Sequence, residues 1–84
     1  MLGGVKTLPQ PSSKDADDIK RTGCYQSLGL SNIPSASGGN LLICIRGSED
    51  YMIQIFCRVT VETTIYARTG IDREGFGWLG WKLI

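Results

Sequence analysis

Residues 51–62 read YMIQIFCRVTVE. In an extended chain Tyr51, Ile53, Ile55, Cys57, Val59 and Val61 fall on one side, and Met52, Gln54, Phe56, Arg58, Thr60 and Glu62 on the other. A period of two held over the whole run is the pattern of a strand with one buried face, and the aliphatic row is expected to be that face. Upstream, NLLICIRG (40–47) offers a matching row in Leu41, Ile43 and Ile45, and only the polar triplet SED separates the two runs. So short a connection forces an antiparallel hairpin. Downstream, TTIYART (63–69) puts Ile65 and Ala67 on one face and Tyr66 and Arg68 on the other. Strands at 40–46, 51–62 and 64–69 therefore form a meander, with 23–28 and 78–84 as possible edges.

Outside the meander the texture is polar. Residues 1–13 carry Gly3, Gly4, Pro9 and Pro11 and read as a linker or extended arm, in which 5–8 could add a short edge strand. KDADDIKRTG (14–23) suits one or two helical turns: Ser13 as N-cap, Asp15 at the positive end, Lys20 and Arg21 at the negative end, and Gly23 as the stop. GLSNIPSASGG (29–39) is a loop rich in glycine and serine. The expected fold is mainly β: a small antiparallel β-meander or sheet with one short helical turn near the N-terminus, residues 14–84 forming the domain.

A chain of 84 residues buries only roughly 60–65% of the surface its unfolded form exposes, so its core is thin and a staple is expected. Three cysteines, Cys24, Cys44 and Cys57, lie in apolar strand-like surroundings with no CxxC, and there is no histidine. That favours small buried hydrophobes over a disulfide or a zinc site. Reduced thiols suit folding in the cytoplasm; a Cys44–Cys57 bridge between neighbouring strands is the competing arrangement. Self-association is the remaining staple. Nine basic and eight acidic residues give a net charge of +1 with no basic stripe, so neither nucleic acid nor an anionic membrane is signalled. The longest strongly apolar run, 41–45, is too short to span a bilayer, and the charged-then-apolar layout of a signal peptide is missing.

Catalysis near neutral pH needs tunable groups, and without histidine the Ser-His-Asp and Cys-His arrangements cannot form within the chain. The carboxylates sit mostly in pairs on expected loops, where solvation is the ordinary explanation. A domain with so thin a core has little room for a reaction pocket. The Gly38-Gly39 pair lacks the Lys-Ser/Thr of a phosphate loop, and no EF-hand spacing of oxygen ligands occurs. The chain is expected to be non-enzymatic, with no cofactor and no metal.

The order of segments is more specific than a meander. Gly23-Cys24-Tyr25, a Pro- and Gly-rich loop from 34 to 39, the hairpin at 41–46 and 51–55, Ile65-Tyr66-Ala67-Arg68-Thr69-Gly70, and the closing Trp78…Trp81-Lys82-Leu83 stand in sequence. Together they resemble the pyocin-type knob domain of phage tail fibres, from Lys14 to the end of the chain. In that family an IYxRxG-like strand leads through a short Gly/Asn loop to a Trp-x-x-Trp-Lys-x-aliphatic end. Here the loop before Trp78 reads IDREGFG, more charged than the family pattern, and the cysteines depart from it too. The resemblance implies a homotrimeric module of a virion tail fibre, made in the host cytoplasm. Such a module attaches a phage or phage-tail-like particle to a bacterial surface polysaccharide or lipopolysaccharide. Two other readings stay open: a structural folding module with receptor binding elsewhere, and a carbohydrate-binding appendage of a depolymerase.

Candidate contacts follow. Asn32, Ser35, Ser37 and Asn40 offer neutral donors and acceptors suited to sugar hydroxyls, and Asp72, Arg73 and Glu74 offer charge, all on loops. Tyr66 and Arg68 can stack with each other or Trp78, or face a ligand. Trp81 is expected to plug the core. Trp78 is balanced between core and an aromatic platform for a sugar.

Overall fold

The computed structural model describes residues 8–35, 40–59, 61 and 63–84. Ser37, Thr60 and Glu62, and the edge strand expected within 5–8 apart from Leu8, lie outside them. Six strands form one antiparallel sheet: β1 (Gly23–Gln26), β2 (Leu41–Arg46), β3 (Tyr51–Arg58), β4 (Thr64–Asp72), β5 (Phe76–Trp78) and β6 (Lys82–Leu83). The spatial order is β1-β2-β3-β4-β5, and β6 follows β5 along the same outer side of β4. The mainly β, antiparallel meander is thus the observed fold, with β1 at one edge and β5 and β6 at the other.

Register aligns Ile43 with Ile55 and Ile55 with Ala67, so the aliphatic residues of three strands do share one face. That face is not the buried one. Met52, Gln54 and Phe56 are at most 1% exposed, whereas Tyr51 and Ile53 keep 45% and 44% of their surface. Leu42 and Cys44 are buried on β2 while Ile45 is exposed, and on β4 Arg68 is buried while Ile65 is exposed. The expected burial of Tyr51, Ile53, Ile55, Cys57, Val59 and Val61 is therefore inverted. The physical reason is that the second face is apolar too, through Leu42, Cys44, Met52, Phe56 and Tyr66, and its two buried long polar residues, Gln54 and Arg68, satisfy each other. Alternation fixes that two faces exist, not which one turns inward.

What covers the inward face is irregular chain. The helical segment expected at 14–23 is reduced to one 3₁₀ turn, Ala16–Asp18, and Asp15 rather than Ser13 is its N-cap, its carboxylate accepting from the Asp17 amide at 2.9 Å. Ser13 sits one bend earlier, its hydroxyl accepting from the Asp15 amide at 3.1 Å. The turn stops at Ile19, which is already extended, because side chains from the sheet take its carbonyls. Gln54 Nε2 donates to the carbonyls of Ala16 (2.7 Å) and Ile19 (2.9 Å). Those bonds hold the segment flat on the sheet and bury Ala16 and Ile19. Ser31 and Asp15 form a parallel bridge that lays the 27–33 stretch beside it, burying Leu30. The core is thus a two-layer arrangement of sheet and loops around Leu42, Cys44, Met52 and Phe56.

Three strand limits also shift. β1 ends at Gln26, where its backbone amide and side-chain amide donate to the carbonyls of Pro9 and Leu8. β3 ends at Arg58, and β4 runs on to Asp72. The last run is two short strands rather than one, interrupted at 79–81. Between Asp72 and Phe76 the turn needs left-handed backbone at Glu74 (φ 54°) and Gly75 (φ 115°), which glycine adopts without strain. Cys44 points into the core and Cys57 onto the outer face, so the Cys44–Cys57 bridge is ruled out by facing; all three cysteines are free thiols.

Candidate functional site

Arg68 is the centre of the inward face. β4 places it opposite Gln54 on β3, and burial leaves it 7% exposed. Its Nε and Nη2 donate to Gln54 Oε1 at 2.9 and 2.8 Å, and Nη2 forms an ion pair with Asp17 Oδ1 at 2.9 Å. The guanidinium carbon lies 4.2 Å from the Trp78 ring centre and 4.5 Å from that of Trp81, so the cation is held against two indoles. Burial pushes the guanidinium's pKa down, and the hydrogen bond and charge of Asp17 push it back up.

The indoles are anchored by their polar edges. Trp78 Nε1 donates to the Asp17 carbonyl (3.0 Å), and Trp81 Nε1 to the Asn32 carbonyl (3.1 Å). Asn32 Nδ2 in turn donates to Asp15 Oδ1 at 2.9 Å. Sheet, 3₁₀ turn and loop are therefore tied by one network of Gln54, Arg68, Asp17, Trp78, Trp81 and Asn32. Trp81 also meets Phe56 edge-on at 6.3 Å, and Trp78 meets Phe76 edge-on at 5.0 Å. A guanidinium fixed in this way has no proton to exchange near neutral pH. The chemistry of the cluster is positional.

Gly70 shows how tightly Trp78 is seated. A Cβ there would stand 2.8 Å from Trp78 Cζ3 and 3.0 Å from both Met52 Cγ and Phe76 Cζ. Gly70→Ala is expected to lower stability by about 1–3 kcal/mol through overpacking. Urea unfolding followed by tryptophan fluorescence measures it, and a change within about 0.5 kcal/mol would show that Trp78 is free to move aside.

Asp15 is expected to contribute acid sensitivity to the network. The Asn32 amide first, and the Asp17 N–H second, hold its carboxyl below the usual carboxylate range. A depressed folded value adds stability above about pH 4, the unfolded value, and that stability is lost as pH falls through the folded one. Asp15→Asn keeps an acceptor oxygen but not the charge. It should therefore flatten the decline in melting temperature between pH 5 and pH 3; an unchanged decline would place the acid response elsewhere.

The expected contact residues separate into two groups. Asn32, Arg68 and Trp78 meet in the network, with Tyr66 nearby, its ring 6.2 Å from that of Phe56. Arg68 is buried and Trp78 and Tyr66 are half-buried, so Trp78 packs as a plug like Trp81. Asn40 is 5% exposed, and Ser35 is half-buried. The second group is the β4–β5 turn. Asp72 pairs with Arg46 at 3.0 Å, Arg73 donates to the Tyr51 hydroxyl at 3.1 Å, and Arg73 and Glu74 are exposed. Gln54, Asp17 and Arg46 are not among the contacts expected from the sequence, and Asp15 is expected only as a helix-end charge. The alternation places Gln54 on the same side of its strand as Phe56, but its partner depends on register: only with β3 ending at Arg58 does Gln54 pair with Arg68, and two long polar side chains opposed on one face complement each other.

A separate cleft of about 460 Å³ opens between the arm and the 3₁₀ turn, lined by Ser12, Ser13, Asp18, Lys20, Arg21 and Tyr25. It offers hydroxyls, both signs of charge and an aromatic ring, with Lys20 Nζ standing 4.3 Å over the Phe76 ring. Among the described residues no helix is long and apolar enough to cross a membrane. No family model, no curated protein and no solved structure matches the chain.

Proposed function

We propose that the chain is a non-enzymatic knob module of a phage or phage-tail-like tail fibre, acting as a homotrimer in the virion. It attaches the particle to a bacterial surface glycan such as lipopolysaccharide or capsule. One observation supports the reading most: the two segments on which the resemblance rests, 65–70 and 78–83, close on each other through Arg68 held against Trp78 and Trp81. Residues that are scattered in sequence but serve one network mark a single folding unit. Within that unit the positions open to a glycan are Asn32, the turn at Arg73 and Glu74, and the cleft beside Arg21 and Tyr25.

A second reading, a fibre-folding module with receptor binding elsewhere, is favoured by the inward placement of Asn40 and Arg68. Adsorption separates the two. The full chain is applied to bacterial cells and to purified lipopolysaccharide and capsule, alongside Arg73→Ala/Glu74→Ala and Arg21→Ala/Tyr25→Ala, with folding checked by tryptophan fluorescence. The attachment reading expects retention of the parent chain and its loss in at least one folded variant. Retention by none, or equal retention by all, leaves the folding module as the reading that stands.

A further inference from the structure

We propose that the outer face of the sheet, formed by Ile43, Ile45, Tyr51, Ile53, Ile55 and Ile65, is the surface on which copies of this chain pack against one another. The proposal deepens the association part of the reading above by naming where the copies meet; it does not depend on glycan binding.

The face is built by register alone. Cys24, Ile43, Ile55 and Ala67 form one cross-strand row; Ile45, Ile53 and Thr69 form the next; Gln26, Leu41, Cys57 and Ile65 form a third. None of these rows carries a charge across β1 to β4; the charges at the borders of the face are Lys82, on β6 beside Ala67, and Arg73, whose guanidinium donates to the Tyr51 hydroxyl at 3.1 Å. An antiparallel sheet that leaves one face to water normally lines it with polar residues, and this one does not. Ile45, Tyr51, Ile53 and Ile65 keep 44%, 45%, 44% and 38% of their surface. With their half-buried neighbours they leave on the order of 500–600 Å² of apolar surface, at the upper limit for a monomer.

Charge and area choose the occupant. A face whose cross-strand rows carry no charge offers a charged partner nothing to hold at its centre, but a second copy of itself matches it. Two such faces would bury roughly 1,000–1,200 Å² together, where specific association begins. The relief suits this. Hollows of about 300 and 150 Å³ flank Ile53 and Thr69, the first lined by Ile45 and Tyr51, the second by Leu79 and Ile84 with Lys82 at its side. Each is of a size to receive aliphatic side chains from another copy.

The chain carries its own probes. Cys24 and Cys57 lie on the outer face, half-buried in the single chain, while Cys44 is fully buried in the core with its thiol pushed up by burial. Sedimentation of the full chain is combined with maleimide labelling read by mass spectrometry, for the parent and for Ile53→Asp. The parent is expected at a multiple of the 9.2 kDa chain mass with all three thiols protected. Ile53→Asp is expected at the single-chain mass, with Cys24 and Cys57 reacting at least roughly tenfold faster and Cys44 still protected. Reaction of Cys44 as well would report unfolding, and the parent measurement then decides alone.

A parent monomer with reactive Cys24 and Cys57 overturns the proposal. So does a parent monomer with both protected, since the single chain then shields these thiols unaided. A multimer in which these thiols react as fast as in unfolded chain places the interface elsewhere and also overturns it. A dimer upholds the face and removes the trimer from the preceding reading. Association without adsorption upholds the face and removes the attachment role.

Discussion

Arg68→Leu is expected to destabilise the domain by about 3–5 kcal/mol, the range for removing one member of a buried charged pair. Leucine fills part of the space and adds no clash, so the loss comes from what is left behind. Gln54 Oε1 would lose both of its donors while fully buried, a cost of about 1–3 kcal/mol. Contact of the cation with Trp78 and Trp81 contributes about 1–2 kcal/mol more in a desolvated site. The Asp17 side chain as a whole keeps 43% of its exposure, but the Oδ1 that meets Arg68 is itself buried, so losing the guanidinium leaves that oxygen without its cation. Against a total of about 4–12 kcal/mol for a domain of this size, the variant stands near its folding threshold. Arg68→Lys separates charge from shape. An ammonium keeps the charge but cannot lie flat on an indole or offer two parallel N–H groups to one acceptor, so it should restore less than half of the loss. Urea midpoints at constant slope measure both variants. A loss under about 1 kcal/mol for leucine, or full rescue by lysine, would refute the description of Arg68 as the keystone of the network.

The same residue shows where reading the sequence succeeds and where it stops. Ile65 and Ala67 on one face, Tyr66 and Arg68 on the other, is correct, because alternation is a property of any extended chain. The hairpin between β2 and β3 is correct because the polar triplet at 48–50 leaves no room for a crossover. Which face turns inward was not legible. Arg68 and Gln54 each look like solvent-facing residues when read singly, and only their pairing across β3 and β4 makes burial affordable in energy. The loss of the expected helix has the same origin. Ser13, Asp15, Lys20 and Arg21 supply sound local helix signals, but Gln54 reaches the carbonyls of Ala16 and Ile19 from a strand 35 or more residues away. Local propensity is a weak prior against such a bond. Trp78 is balanced between platform and plug in sequence because Gly77 and Leu79 beside it do not show what it packs on; its neighbours in space are Arg68, Phe76 and the Asp17 carbonyl.

Phe56→Ala is expected to cost about 3–5 kcal/mol, and its dependence on protein concentration carries more information than its size. Phe56 is fully buried, flanked in register by Leu42 and Tyr66, and touched edge-on by Trp81. The ring sits where the sheet, Tyr66 and Trp81 all meet, so the space left by alanine cannot collapse without moving the network around Arg68. A single chain would then retain little of its roughly 4–12 kcal/mol. Association of outer faces, if it occurs as proposed, adds stability through mass action, because a folded chain would bind copies of itself and the unfolded chain would not. Phe56→Ala should therefore melt at a temperature that rises clearly with protein concentration. Combined with Ile53→Asp, it should melt low at every concentration. The two residues lie on opposite faces of β3, so in a single chain their effects would simply add. A Phe56→Ala melting point that ignores concentration would mean that the outer face contributes nothing to folding, and that the thin core holds the domain unaided.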